Sequence, residues 1–228
     1  MSGDDLSLPL LGVDEAIADL IDLGLLTAGG LTVASAGAAI GAAIAAEAAA
    51  KRAEFGDRAI GDVPGVAPVR RLMSALGTDP TKTRPSSEAL LRRVLKGQGL
   101  YGVNNVVDTV NLASLRWLLP MGLYDLAALR GNLRMARGRP GDGYAGIGKE
   151  HVNLEDRPAL HDDEGPFGAP TSDSFRTRVH AGTTRILLVV FAPRDIDPDI
   201  LPRCVADTRQ LIVSLCGAVA GEERFIRS

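Results

Sequence analysis

The spacing of apolar positions changes character along the chain. Leu23 to Ala34 is a short apolar run compatible with a β-strand, with Gly29-Gly30 inside it. From Ala36 to Ala50 ten of fifteen residues are alanine, and the helix they favour continues into Lys51-Arg52-Ala53-Glu54. Three helical patterns follow, separated by turn signals. The first covers about Val69 to Leu76 and stops at Gly77. The second opens at Pro85-Ser86-Ser87-Glu88, with Ser86 or Ser87 as N-cap, and runs to Lys96 before Gly97. The third spans about Val103 to Leu119 and ends at Pro120.

After Asn132 the helical period is lost and short strand-like runs alternate with Gly/Pro turns. Leu133, Met135 and then Tyr144 to Ile147, flanking Pro140-Gly141-Asp142-Gly143, predict a hairpin. Arg185 to Ala192 contains Ile-Leu-Leu-Val-Val-Phe without interruption, the pattern of a strand buried on both faces. Asp199 to Gly217 is a closing amphipathic helix, with Leu201, Val205, Leu211, Ile212 and Leu215 at core spacing. No internal repeat and no low-complexity linker divides the chain. These elements predict an α+β (mixed) domain, with helices packed around a largely antiparallel β-sheet. An N-terminal extension over 1–20 precedes a single domain over 21–228.

Composition narrows the class. Among 228 residues 46% are hydrophobic and only 4% aromatic, so the core must be aliphatic and base stacking on a row of aromatics is not expected. The Ala/Gly stretch from Ala28 to Ala50 contains Glu47 and offers little insertion energy, so no membrane span is expected. Cys204 and Cys216 fall on one predicted helix, too far apart to bridge, and three dispersed histidines argue against a zinc site. The acidic start Met1-Ser-Gly-Asp-Asp is unlike a signal peptide. The expectation is a cytoplasmic protein with reduced thiols, no metal and no cofactor.

Charge is unevenly spread. Arg70 to Arg139 holds 12 Lys or Arg against 4 Asp or Glu, a local excess of +8 in a chain of net charge -3. Its members include Lys82, Arg84, Arg92, Arg93 and Lys96. A folded face that collected them would neutralise phosphates; alternatively they are solvated charges balanced by acidic flanks. Two nucleotide motifs match by letter only. Gly141 to Gly146 satisfies G-x-G-x-x-G without a strand before it or a helix after it, and Gly143 to Lys149 satisfies G-x-x-x-x-G-K but continues with Glu150.

The third helical pattern carries Val103, Val106, Val107, Val110, Ala113 and Trp117 on one face. Asn104, Asn105, Asp108, Asn111 and Arg116 lie on the other. Asn104 or Asn105 as an N-cap, with Asp108 in the first turn, accounts for part of this polar face. A ligand-facing role for Asn105, Asp108 and Asn111 accounts for it equally well. A second polar knot, Gly165 to Ser174, presents Thr171, Ser172 and Asp173 on a loop constrained by two Gly and two Pro; it is either a structural turn or a presenter of hydroxyls. No G-x-S-x-G elbow is present, and no triad spacing joins His180 to Ser172 or Ser174.

Several of these segments together resemble a known family. Asn105-Val-Val-Asp108-Thr-Val-Asn111, Leu119-Pro-Met-Gly-Leu-Tyr-Asp125, Glu164-Gly-Pro-Phe-Gly, Ser172-Asp173 and Thr183-Thr-Arg-Ile-Leu-Leu188 are similar to the tRNA-editing B3/B4 domain of the phenylalanyl-tRNA synthetase beta subunit. Leu76 to Ser86 and Leu90 to Gly97 resemble the freestanding relatives of that module. The resemblance is specific from about Arg70 to Ala192. It implies hydrolysis of the ester of mischarged tRNA, acting in trans, without metal or cofactor. Two positions depart from the synthetase pattern: Gly122 stands where its motif has a pocket histidine, and Pro170 where it has a pocket glutamate. Thr183 matches a pocket threonine, with Gly182 in place of the glutamate before it.

The expected site follows from polarity, position and this resemblance. Asn105 or Thr183 orients the water, Asp108 holds the α-amino group, and Thr171 with Ser172 supplies donors to the ester oxygen, with Asn111 and Asp173 lining the same pocket. The tRNA acceptor end lies along Lys82, Arg84, Arg92, Arg93 and Lys96. DNA is not an expected partner. Two other readings remain open: a non-catalytic module that binds an amino acid or a tRNA end, favoured by the missing His and Glu, and a small-molecule hydrolase that has left RNA behind.

Overall fold

The computed structural model describes residues 5–227; the acidic start Met1–Asp4 lies outside the described residues. In chain order the elements are β1 (Leu11–Val13), α1 (Glu15–Ala18), β2 (Ile21–Gly29), α2 (Ala38–Phe55), α3 (Val66–Ala75), α4 (Ser86–Leu95), α5 (Asn105–Trp117) and β3 (Met121–Asp125). Then come β4 (Leu133–Arg137), β5 (Gly143–Gly146), β6 (Lys149–Asn153), β7 (Pro158–Asp162), β8 (Gly165–Ala169), β9 (Ser172–Asp173), β10 (Ile186–Pro193), α6 (Ile200–Cys216) and β11 (Val219–Ile226). The fold is α+β, and its sheets are antiparallel apart from the parallel pairing of β1 with β4.

The uninterrupted apolar run of β10 has a direct structural cause. The strand sits inside a four-stranded sheet of order β11-β2-β10-β3 and buries both of its faces. Ile186, Leu188 and Val190 point into a core shared with α5 and α6, which contribute Val106, Val110, Leu201 and Val205. Leu187, Val189 and Phe191 point into a second core with Met135, Leu160 and Phe167 of the other sheet. Alternation at period two thus feeds two cores from one strand. A third apolar cluster joins Ala48 and Phe55 of α2 to Leu91 and Val94 of α4 and Leu115 of α5; small alanine side chains let α2 approach closely.

The second sheet has the order β1-β4-β7-β8-β9, and β5 with β6 forms a separate two-stranded ribbon. The expected hairpin between the Leu133 region and Tyr144 is therefore corrected. β4 pairs with β7, aligning Met135 with Leu160, while β5 turns back on β6 through Gly148, whose φ is +68°. The Pro140-Gly141-Asp142 turn is closed by its own Asp142 carboxylate, which accepts from the Arg139 N–H, and it leads the chain out of the sheet. Leu8 and Ile17 pack in the second core, and β1 aligns Leu11 with Leu133.

Two expected helix details are also corrected. Pro85, not a serine, is the N-cap residue of α4, and no side chain caps it; the Ser86 N–H donates to the Pro170 carbonyl instead. Val103 lies outside α5 and is exposed, and the helix buries Leu112 and Leu115 beside its valine face because it is packed between neighbours on two sides. Cys204 and Cys216 are both free thiols on α6. Among the described residues no helix is long and apolar enough to cross a membrane.

Candidate functional site

β3 and β9 are the edge strands of their sheets, and they meet under α4 and α5. A cleft of ≈ 360 Å³ opens where these four elements converge. Its walls are Ser86, Ala89 and Leu90 from α4 and Val110, Asn111 and Ser114 from α5. Met121 from β3 and Thr171, Ser172 and Asp173 from the β8–β9 segment form the floor, with Tyr101 and Ile147 at the rim. The size suits an amino-acid moiety, and the lining mixes aliphatic surface with a few polar groups.

The structure divides the expected site residues into two sets. Asn111, Thr171, Ser172 and Asp173 come together in this cleft. Asn105, Asp108 and Thr183 are engaged elsewhere. Asn105 accepts from the Ala34 N–H at 2.9 Å and donates to the Thr32 carbonyl at 3.0 Å, tying α5 to the segment before α2. Asn104 is the N-cap of α5, accepting from the Val107 N–H. Asp108, buried, accepts from the Val103 N–H at 3.0 Å. Thr183 donates to Asp125 at 2.9 Å and accepts from the His180 N–H, closing a turn at the Asp125 end of β3. That end lies about 13 Å along the strand from Met121 in the cleft.

At the floor, the buried Tyr124 hydroxyl donates to Oδ1 of Asp173 at 2.8 Å, and the Leu123 N–H reaches Oδ2 at 3.5 Å. Burial pushes the Asp173 carboxyl up to about 7, against the pull of these donors and of the Ala169 N–H. The Tyr124 phenol is raised well above its ordinary value, first by burial and then by the Asp173 charge. Tyr144 adds a second hydroxyl, which donates to the Ser172 carbonyl. The Asp108 carboxyl is likewise raised by burial, against the Val103 and Asn104 N–H groups. Ser86 Oγ, on the cleft wall, is buried without a hydrogen-bond partner.

Several members of the basic island are engaged by acidic or aromatic partners, and others are exposed. Arg70 is bidentate to buried Glu88, and Arg71 pairs with Asp195. On α4, Arg92 lies 3.9 Å from Glu88, and the Arg93 guanidinium stacks 3.6 Å from the centroid of the exposed Tyr101 ring. Lys82, Arg84 and Lys96 are exposed, Lys82 and Arg84 just before α4 and Lys96 just after it in the chain.

A family model for the B3/4 domain matches residues 68–217, from α3 to the end of α6. The chain belongs to the B3/4 domain family. Every cleft-lining residue of this B3/4 domain falls inside the matched segment, while β2, α2 and β11 lie outside it. Among solved structures, an N-terminal fragment of the phenylalanyl-tRNA synthetase beta-subunit from Pyrococcus horikoshii is similar at 12% identity and a TM-score of 0.47. The match covers 97% of this chain, which spans about 55% of that fragment. No curated protein matches the sequence significantly.

Sequence reasoning did not single out Tyr124, Ser114 or Tyr101 for the site. Tyr124 had a partial signal, because a tyrosine two residues after Gly122 on one strand shares its face. A Cβ placed at either Gly122 or Gly168 would collide with the Tyr124 hydroxyl, so both glycines make room for it. Among the described residues no group of three or more His, Cys, Asp or Glu is arranged to hold a metal ion.

Proposed function

We propose that this B3/4 domain hydrolyses the ester of mischarged tRNA in trans, with the aminoacyl group in the cleft between α4, α5 and β9. The observation that carries the reading is the pairing of an amino-acid-sized cleft with a cationic approach. Arg84, Arg93 and Lys96 sit on or next to the helix that forms one wall, where phosphates of an acceptor end would run.

Hydrolysis requires water to add to the ester carbonyl carbon and the bond to the ribose oxygen to break, releasing free amino acid and tRNA. In this reading Asn111 and the Thr171–Ser172 segment supply donors toward the carbonyl oxygen, and Ser86 Oγ offers an unfilled hydrogen-bonding position on the facing wall. Asn105, Asp108 and Thr183 hold the walls in place through their bonds to backbone and to Asp125.

The absence of the synthetase histidine and glutamate at Gly122 and Pro170 favours a second reading, in which the cleft binds an aminoacyl end without cleaving it. Both are tested by incubating the purified protein with tRNAs carrying correct or incorrect labelled amino acids. Selective loss of one mischarged ester, abolished by Asn111→Ala with Thr171→Ala, is the expected result. Salt-sensitive tRNA binding with no loss from any ester would establish the second reading.

A further inference from the structure

Resting on the reading just given, we propose that Asp173, seated by the Tyr124 hydroxyl in the space that Gly122 and Gly168 leave, binds the α-ammonium group of the aminoacyl ester. The cleft then selects acyl groups that carry a free amine, and excludes hydroxyacyl, N-formyl and peptidyl esters.

The seat is rigid. Tyr124 is fully buried, its ring meets Phe167 edge-on with centroids 4.9 Å apart, and the absent side chains at Gly122 and Gly168 admit its hydroxyl between two strands. That hydroxyl fixes one oxygen of Asp173 at 2.8 Å, and Asp173 is also one of the residues lining the cleft. Its holder belongs to the other sheet, which locks the carboxylate to the junction of β3 and β9. Among the described residues the titratable side chains acting on it are Tyr124 and Tyr144, both neutral hydroxyls.

Electrostatics names the ligand. Asp173 is the acidic group among the cleft's polar lining, where Ser86, Tyr101, Asn111, Ser114, Thr171 and Ser172 offer hydroxyls and an amide. A lone carboxylate in a part-buried cleft is satisfied best by a cation that also donates hydrogen bonds, and an ammonium does both. Outside, Arg84, Arg93 and Lys96 favour polyanion. An aminoacylated tRNA end has this distribution: phosphates along its length and one ammonium at its tip. Replacing that ammonium by a hydroxyl, or acylating it, removes the charge that Asp173 is placed to meet.

The test uses alanyl and tyrosyl amides of 3′-amino-3′-deoxyadenosine, which cannot be hydrolysed as esters, against the matching 2-hydroxyacyl amides. Calorimetry on the full chain should show the amine forms binding about tenfold or more tighter than the hydroxyl forms. Asp173→Asn should bring the amine forms down to the hydroxyl level, and Tyr124→Phe should narrow the difference several-fold while both variants keep the wild-type circular dichroism. Equal binding of amine and hydroxyl forms to the wild type, a preference that survives Asp173→Asn, or no binding of any analogue overturns the proposal. The wild-type comparison stands by itself if a variant does not fold. An amine preference combined with no deacylation of any charged tRNA keeps the ammonium site and overturns the editing reading alone.

Discussion

Asp108 and Asp173 are both aspartates whose carboxyls burial pushes upward, yet they are held in opposite ways. Asp108 sits in the first turn of its own helix and spends its oxygens on the backbone N–H groups just before that helix. Its donors, Val103 and Asn104, are both within a few residues, although Asp108 also lines a separate cavity beside Ala48 and Arg52 of α2. Asp173 is held by a side chain from a different sheet and opens onto a cleft. A carboxylate satisfied by its own local backbone is a strut, since removing it frays the helix. One gripped across a sheet junction by the Tyr124 hydroxyl, on a residue that lines a cleft, is arranged for something not in the chain. The two are distinguished by where the donors come from, not by burial or by residue type.

The contrast breaks most visibly at the seat of Asp173. Gly122→Ala forces a methyl group against the Tyr124 ring and hydroxyl, which have no room to withdraw. Overpacking of this kind costs about 3 kcal/mol, so urea unfolding should show a lowered midpoint at unchanged slope. In a double-mutant cycle with Tyr124→Leu the two costs should fall short of additivity by about 1 kcal/mol or more. Strict additivity would mean that the tyrosine does not fill the glycine's space.

Removing the strut has a smaller and different effect. Asp108→Ala deprives the Val103 N–H of its acceptor and the first turn of α5 of a negative charge. The loss is about 1–2 kcal/mol, equivalent to a fall of about 2–8 °C in melting temperature for a domain of this size. Analogue binding by the folded protein should stay within about twofold of wild type, because a surviving helix still presents Asn111. A selective loss of binding at unchanged melting temperature would place Asp108 in the site after all.

The chain declared its elements more readily than its site. Unbroken apolar runs located β2 and β10, alanine content located α2, and period-3.6 patterning located the other longer helices, because burial and propensity act directly on residue choice. The false hairpin after Leu133 shows the limit: strand-like residues state that they will pair, not with whom, and β4 finds β7 across an intervening ribbon. The polar face of α5 shows the same limit for chemistry. Asn105, Asp108 and Asn111 recur at helical spacing with similar polarity, but Asn105 and Asp108 meet backbone and Asn111 meets a cleft. That division is set by the loops before α2 and α5, which no local pattern specifies. The polar Gly/Pro-rich knot pointed to the Thr171–Asp173 segment from composition, whereas the family resemblance drew attention to the side chain missing at Gly122 and not to the hydroxyl that occupies its place.

The finest separation between the two aspartates lies in the pH dependence of stability. The folded-state pKa of Asp173, about 7, lies above the unfolded value of about 4, so the native chain binds more protons than the unfolded chain between those limits. Stability from this group is therefore greatest below about pH 4 and declines as pH rises to about 7, because each step charges a carboxylate that the fold would keep neutral. Asp173→Asn removes the titration while leaving an acceptor for the Tyr124 hydroxyl. Its melting temperature relative to wild type should rise by about 2–4 °C between pH 4 and pH 8, corresponding to about 1 kcal/mol once solvent at the open side of the cleft is allowed for. The same scan with an aminoacyl amide present should reverse the order at pH 8, since the bound ammonium stabilises only the charged wild type. A variant whose difference from wild type is flat from pH 4 to pH 8 would show that Asp173 is already comfortable as an anion, and would leave it no more in need of a ligand than Asp108 is.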